Sequence, residues 1–301
     1  MTRFNIIRSD RVYRDLLDLP LAEREAYFRQ HLLDYFKEKF EKQRITYQSS
    51  EFDAYQMLGM AHLMPEMLDE KAVLLIDRLD EEFWTRCQEG LEEAEQYFVN
   101  EGFKPTIESY QFTALLGNQA APAMFLNQYY GGDGGIPGYI FLSIVPNAYT
   151  LPRVQAAIAH EMNHNIRYQA VDWDGGSLVE LMIAEGLAEN FVEELYGSDL
   201  RGPWVTSIDW QVEGPAIKQI LSQQLEHKDL FNSMPYLYGD ELTRLSGGRP
   251  LGLPHCAGYT CGYYLVKYYL QKTQQKIAQA TLLPAGDIVK EVSEFWNDPI
   301  L

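Results

Sequence analysis

The chain has 301 residues, of which 46% are hydrophobic and 13% aromatic, which indicates a folded globular protein and excludes a disordered one. Its 25 basic and 43 acidic residues give a net charge of −18, which argues against nucleic acid or an anionic membrane as the main partner. The chain has no apolar run long enough to cross a bilayer, no apolar segment of a secretion signal at its start, and three cysteines without C-x-x-C spacing. We therefore expect a cytoplasmic protein with reduced thiols and no membrane insertion.

The first hundred residues have the pattern of helices. Apolar residues recur at helical spacing over residues 21–43, and further helical segments follow at about 51–63 and 70–101. The last segment would end at Gly102, because glycine favours the residue after a helix. We therefore expect an N-terminal helical region over residues 1–104, either separate or packed on the rest as one domain.

The character of the sequence changes after Pro105. Runs of β-branched and aromatic residues bounded by Gly, Pro and Asn predict three strands, in "TIESYQFTALLG", "AMFLNQYYGG" and "GYIFLSIVP". The segment "YYGGDGGIPG" contains five glycines, which favours a turn or a mobile loop. Helical patterns return near residues 151–167, 178–196, 205–225, 257–271 and 286–296. This order predicts an α+β fold, with a second region over residues 105–301.

The segment His160-Glu161-Met162-Asn163-His164 matches the pattern H-E-x-x-H. Residues four apart share one face of a helix, so both imidazoles can reach one metal ion. Glu161 is rotated about 100° from His160, where it can reach a water molecule at the metal but is poorly placed as a ligand. The alternative is a pair of exposed or packed histidines, and a third ligand would decide between the two interpretations.

Glu185 is the predicted third ligand. Ser177-x-x-Glu180 is a capping box, which predicts that the next helix starts near Ser177. If the first helix ends near residues 168–170, His164 lies about 6 to 9 Å before that end, and Glu185 lies about 12 Å into the next helix. In an antiparallel helix pair these depths put Glu185 opposite the histidines. Two imidazoles, one carboxylate and an open fourth position are typical of a hydrolytic zinc site, so Zn²⁺ is the expected cofactor.

Glu189 follows four residues after Glu185 and shares its helix face. A carboxylate there could accept the free N–H of a ligand histidine and fix its tautomer. The alternative is an exposed surface glutamate. We interpret Glu180, Glu193 and Glu194 as capping or solvated charges.

The two segments "AHEMNHNIRYQ" and "AEGLAENFVEELYG" resemble the gluzincin pattern of zinc metallopeptidases. More narrowly, "GYIFLSI", "AGYTCGYYLVKYYL" and "LLPAGDIVKEVSEF" make residues 105–300 similar to the DUF2268 family of predicted zinc-dependent proteases, the YjaZ-like bacterial proteins. The resemblance implies a zincin-like fold, with a small mixed sheet, an active-site helix pair and mostly helices elsewhere. It also implies zinc-dependent hydrolysis of a peptide or protein substrate. Glu189 is a departure, because many gluzincins have Asp there.

Glu161 would then be the general base, which takes a proton from the zinc-activated water and later delivers it to the leaving amine. Charge that develops on the scissile carbonyl needs a further donor. His255, Tyr259 and Tyr263 are spaced by four and could share one helix face, and we expect Tyr259 to be this donor, with His255 next. The alternative is a tyrosine-rich helix that packs in the core.

A substrate backbone usually pairs with an exposed edge strand in proteases of this architecture. The candidate is "GYIFLSIV", with "YYGGDGGIPG" as a lid. The alternative is an ordinary strand followed by a surface hairpin. The expected substrate-binding residues are Tyr139, Ile140, Phe141 and Leu142.

Two other functions stay open at this point. The first is a non-peptidase zinc amidohydrolase or a deformylase-like enzyme; the latter would use a cysteine ligand upstream of the histidines, and Cys87 lacks the glycine-rich context for that role. A metal-stabilised partner-binding protein without catalysis would need no base at Glu161 and would favour a closed shell of four protein ligands.

Overall fold

The computed structural model describes residues 2–298, which contain sixteen α-helices and one mixed sheet of four strands. The α+β prediction is therefore confirmed. The chain divides into two compact units. The first comprises the residues up to Gln96 together with Lys104–Asn165, and the second comprises Tyr97–Phe103 and the residues from Ile166 onward.

The first unit holds the whole sheet. Its strands are β1 (Arg3–Ile6), β2 (Ser109–Leu116), β3 (Tyr130–Ile136) and β4 (Tyr139–Ile144). Its helices are α1 (Ser9–Asp18), α2 (Leu21–His31), α3 (Lys37–Lys42), α4 (Ala54–Gly59), α5 (Glu70–Ile76), most of α6 (Glu81–Asn100), α7 (Pro122–Phe125) and the larger part of α8 (Val154–Ala170).

The strand order is β1-β2-β4-β3, with β1, β2 and β4 parallel and β3 antiparallel to β4. Because β4 pairs on both sides, the prediction that it is an exposed edge strand is wrong. Ile140, Phe141 and Leu142 are buried, and the Tyr139 hydroxyl donates to Glu38 at 2.6 Å. The nearly continuous apolar run of β4 is the pattern of a strand that is covered on both faces.

The glycine-rich segment forms β3, a strand at one edge of the sheet, so the prediction of a mobile loop or lid is wrong. The strand predicted at "AMFLNQYYGG" is only partly right, since Pro122–Phe125 is a helical turn and β3 begins at Tyr130. The glycines have a structural reason. A Cβ on Gly132 would lie 2.5 Å from Glu161 Cγ, and one on Gly134 would lie 2.1 Å from the Glu161 carbonyl oxygen. Only glycine lets β3 pass this close to α8.

The N-terminal helices are shorter than their sequence pattern predicts. The stretch 70–101 is divided into α5 and α6, and Asp80 caps the second by accepting from the Phe83 backbone N–H at 2.9 Å. The predicted end at Gly102 is confirmed, since this residue has φ +95° and Phe103 N–H donates back to the Phe98 carbonyl.

The second unit is entirely helical in the described residues. Its elements, besides the ends of α6 and α8, are α9 (Leu178–Tyr196), α10 (Pro203–Thr206), α11 (Trp210–Leu221), α12 (Leu230–Tyr238), α13 (Asp240–Leu245), α14 (Ala257–Thr273), α15 (Ile277–Thr281) and α16 (Ala285–Glu291).

Helices α9 and α14 pack against each other through glycine. A Cβ on Gly262 would lie 1.9 Å from the Met182 carbonyl oxygen, and one on Gly186 would lie 2.2 Å from the Gly262 carbonyl oxygen. The two helix backbones therefore touch one residue away from Glu185.

Glu180 is not a solvated charge. Its carboxylate accepts two bonds, of 2.8 and 2.7 Å, from Arg167, and both side chains are buried. Arg167 also donates to the carbonyls of Thr281 and Leu283. This ion pair ties the last turn of α8 to the first turn of α9, and together with the two carbonyls it gives acceptors to four of the five N–H groups of the buried guanidinium.

Candidate metal centre

The three side chains predicted as ligands come together. One donor atom each of His160, His164 and Glu185 lies within 4.8 Å of the others, with both histidines buried and Glu185 partly exposed. The two imidazole Nε2 atoms are 3.0 Å apart. Zn–N bonds of about 2.0–2.1 Å at tetrahedral angles would separate two ligand nitrogens by roughly 3.3 Å, close to this distance.

Local sequence explains where these side chains lie. A 3₁₀ turn over Leu151–Arg153, with Pro152 in it, leads into α8, which is free of Pro and Gly. The predicted start of α9 is confirmed, because Ser177 Oγ accepts from the Glu180 backbone N–H at 3.1 Å. Glu185 is therefore in the third turn of its helix.

The donor set fits zinc. Two imidazoles and one carboxylate, all uncharged or anionic when bound, are common zinc ligands, and they leave one coordination position for substrate chemistry. Within residues 2–298 no other group of three His, Cys, Asp or Glu side chains converges in this way. Cys87 is buried in α6 and is not part of the group.

Glu161 is buried beside the ligands, and its carboxylate is held by the backbone of β3. The Gly134 N–H donates to Glu161 Oε2 at 2.7 Å. A bond from a fixed backbone donor sets the direction in which the carboxylate faces.

Asn165 was missed in the sequence and holds the β3–β4 hairpin on α8. Its Oδ1 accepts from the Gly138 N–H at 2.8 Å, and its Nδ2 lies 2.8 to 3.0 Å from the carbonyls of Gly134, Ile136 and Tyr139. The sequence offers only one signal, an amide residue directly after a predicted ligand histidine; in the structure this amide is fully buried and therefore needs several partners.

Glu189 is buried, so the exposed alternative for this residue is wrong. One carboxylate oxygen accepts from the Gly202 N–H and the other from Trp204 Nε1, both at 2.8 Å. These bonds fix the carboxylate on α9, one turn beyond Glu185. Its interaction with a ligand histidine stays a prediction.

The predicted helix face of His255, Tyr259 and Tyr263 is only partly present. His255 lies before α14 and not on it, because Cys256 is the N-cap residue and has the left-handed φ of +59°. The Nε2 atom of His255 lies 3.2 Å from Cys256 Sγ. The Tyr263 hydroxyl donates to Glu193 and accepts from Arg201 and Lys267, so it belongs to a partly exposed ionic network.

Tyr259 lies in the first turn of α14, next to Tyr238, and its hydroxyl is hydrogen-bonded to that residue. Burial raises the pKa of Tyr259 well above its ordinary value, and the nearby charge of Glu185 raises it further. The phenol is therefore protonated at neutral pH and able to donate a hydrogen bond.

Comparisons with known proteins show the family to which the chain belongs. A family model described as "Predicted Zn-dependent protease (DUF2268)" matches residues 83–290. The chain is also 28% identical over 291 residues to "Uncharacterized protein YjfC" of Bacillus subtilis (strain 168), covering 94% of this chain and 96% of that protein. No solved structure matches the chain. In residues 2–298 no helix has both the length and the apolar character that crossing a membrane requires. Because the family model spans more than half of the sequence, the chain belongs to the DUF2268 family of predicted zinc-dependent proteases.

Proposed function

We propose that the protein is a zinc-dependent metallopeptidase in which His160, His164 and Glu185 hold the metal and Glu161 is the general base. The observation that carries the proposal is the convergence of the three donor atoms, with the Glu161 carboxylate fixed by a backbone N–H beside them. The family description supports the same class of enzyme.

When bound, zinc would polarise the scissile carbonyl and make water more acidic. Glu161 would accept the proton from the attacking water, and the Gly134 N–H would hold the carboxylate in place for that transfer. The same carboxylate would then deliver the proton to the leaving amine. Glu161 is buried, so its proton transfers would take place largely away from bulk water.

The substrate backbone is proposed to pair with β3 instead of β4. Strand β3 is at the end of the sheet and pairs with β4 on one side only. It passes close to Glu161, as the space around Gly132 and Gly134 requires. An extended peptide added to this edge would therefore lie along the strand that contacts the general base, which is the zincin-like arrangement.

Two supporting roles complete the proposal. Tyr259 would donate to the developing oxyanion, because its phenol is protonated and lies near Glu185. Glu189 would fix the orientation of a ligand histidine, as buried carboxylates next to metal sites commonly do.

The other functions are less well supported. A purely structural metal site would favour four protein donors, whereas three converge in the described residues. A deformylase-like site would need a cysteine ligand, and the group of donors contains none. A non-peptidase zinc hydrolase would use the same residues, so the choice of substrate in the assay separates it from a peptidase.

The test is the substitution Glu161→Gln, which keeps the size of the side chain and removes the base. We expect the variant to bind zinc as the wild type does and to cleave a peptide library or casein at least about 100-fold more slowly. Metal analysis after dialysis and single-turnover cleavage measure the two properties. Absence of zinc from both proteins would overturn the site, and unchanged cleavage by the variant would overturn the role of Glu161.

A further inference from the structure

Helix α3, more than a hundred residues before the zinc-binding motif, carries a buried cation. Lys39 is fully buried, and its Nζ lies 2.7 Å from Oδ1 of Asp133. Gln43, one turn later, donates to the other carboxylate oxygen at 3.0 Å. A lysine without exposure is rare in proteins and is tolerated only with a partner, so this pair has a specific structural role.

The partner of Lys39 is Asp133 on β3, directly before Gly134, whose backbone holds the proposed general base. Asp133 precedes Gly134, whose N–H donates to Glu161 Oε2. Partial burial raises the pKa of Asp133, but the charge of Lys39 and the hydrogen bond from Gln43 outweigh this and keep the pKa below its ordinary value. The carboxylate is therefore ionised at neutral pH and attracts Lys39.

Successive residues of a strand face opposite sides of the sheet, and the contacts follow this rule. Asp133 faces α3, whereas Gly132 and Gly134 face Glu161 on α8. The rings of Phe36 and Phe141, centred 4.4 Å apart, close the same side of the sheet as Lys39. The strand is thus held from one face by α3 and from the other by α8.

β3 needs such an anchor because of its composition. Four of its seven residues are glycine, which has the largest conformational freedom of any residue in an unanchored chain. Its pairing with β4 is also irregular between Asp133 and Ile136. Asp133 is the only charged side chain in the strand, so it is the one side chain there that can fix the position of Gly134 by charge.

We propose that Lys39 and Gln43 are positioning residues for catalysis: they hold β3 through Asp133 and so place the Gly134 N–H on the Glu161 carboxylate. We call this contact the Lys39–Asp133 anchor. The effect of this anchor on turnover rests on the proposed function, but its effect on the position of β3 does not depend on a bound metal. It gives the N-terminal region a part in the active site.

The substitution Lys39→Met removes the charge and keeps an apolar chain of similar length. Asp133 is more than a third exposed and can be solvated by water, so the fold should tolerate the loss. The matched control is Lys42→Met on the same helix, where the exposed pair with Glu38 has a similar distance of 2.9 Å. Two readouts are compared: hydrogen exchange of the amides in residues 130–136 of the metal-free proteins, and kcat and KM of the zinc-loaded ones.

We expect faster exchange of these amides in Lys39→Met than in Lys42→Met, and kcat lower by about 10- to 100-fold with zinc content and KM nearly unchanged. Exchange and kcat equal to those of the control would overturn the anchor. If the wild type binds zinc but cleaves nothing, the proposed function fails, and the exchange comparison still decides for or against the anchor. If Lys39→Met does not fold, Gln43→Leu is measured in its place. We expect this variant also to show faster amide exchange and a lower kcat than the control, with smaller changes than in Lys39→Met. Unchanged exchange in Gln43→Leu would count against the anchor.

Discussion

Three buried acidic side chains of α8 and α9 have different hydrogen-bond partners, and the partners indicate different roles. Glu161 accepts a hydrogen bond from a backbone N–H of β3, and Glu180 accepts from Arg167. Glu189 accepts from the backbone N–H of Gly202 and from the indole N–H of Trp204. Glu180 and Glu189 have fixed donors on both oxygens, which suits a structural or orienting role. Glu161 lies next to the proposed ligand histidines, and one donor sets its direction, which suits the proposed role of general base.

His62 is a third buried histidine, outside the candidate metal site, and it gives a prediction about pH. It bridges the Leu58 carbonyl at 2.9 Å and the Ser143 hydroxyl on β4 at 2.8 Å. A carbonyl only accepts, so Nδ1 carries the proton and Nε2 accepts from Ser143. Burial lowers the pKa of His62 to about 4, against an ordinary value of 6.5.

Between pH 6.5 and 4 the unfolded chain therefore binds a proton at His62 that the native protein does not. Stability from this group is complete above pH 6.5 and is lost as the pH falls, by roughly 3 kcal/mol at the lower end. Urea unfolding of the wild type and His62→Gln at several pH values measures this. We expect the free energy of unfolding to fall more steeply in the wild type, and equal slopes would contradict the buried neutral ring.

At the scale of elements, the close packing of α9 against α14 predicts the effect of one methyl group. In Gly262→Ala the new Cβ would meet the Met182 carbonyl oxygen at 1.9 Å, so one helix must move. We expect the free energy of unfolding to fall by at least about 1–3 kcal/mol. We also expect weaker zinc binding, because Glu185 is on α9, the helix whose backbone the new methyl group would meet. Thermal melts and zinc titration measure both effects.

The control for this substitution is Gly286→Ala in α16, where a Cβ meets nothing within 4 Å. It should be neutral or slightly stabilising, since alanine favours a helix over glycine. An equal loss in both variants would show that the contact between α9 and α14 is not the cause.

Helices with a cap signal could be predicted from the sequence, and the others only in part. The serine cap at Ser177 and the glycine at 102 predict one helix start and one helix end correctly, because both signals are local. The broken stretches 70–101 and 205–225 were predicted as single helices, since apolar spacing continues across a short interruption. Helices α12 and α13 fall between the predicted segments.

The strands show the opposite limit. The run that forms β4 was predicted as a strand, but its interior position depends on β3, which does not look like a strand in the sequence. Glycine weakens a strand by itself, so a glycine-rich stretch predicts a loop. Here the close approach of α8 at Glu161 overrides that preference. A local sequence pattern cannot predict this contact, because Gly132 and Glu161 are nearly thirty residues apart.

At the scale of the whole molecule, a bound metal links folding to ligand geometry. The proposed ligands come from α8 and α9, which are separated in the chain by the segment 171–177. An unfolded chain does not hold two imidazoles and a carboxylate in one place, so zinc would bind the native protein preferentially. Binding of this kind stabilises the native state by about 2.7 kcal/mol when free zinc is at 100 times its Kd.

We therefore expect zinc to raise the melting temperature of the metal-free wild type by roughly 4 °C at that excess. Glu161→Gln should show the same rise, because the base is not a ligand. His164→Ala and Glu185→Ala should show little or none, whereas Glu194→Ala, an exposed residue on the same helix as Glu185, should respond as the wild type does. Calorimetry with and without zinc measures the rise. A full response in Glu185→Ala would remove this residue from the ligand set, while a loss of the response in Glu161→Gln would show that Glu161 binds the metal.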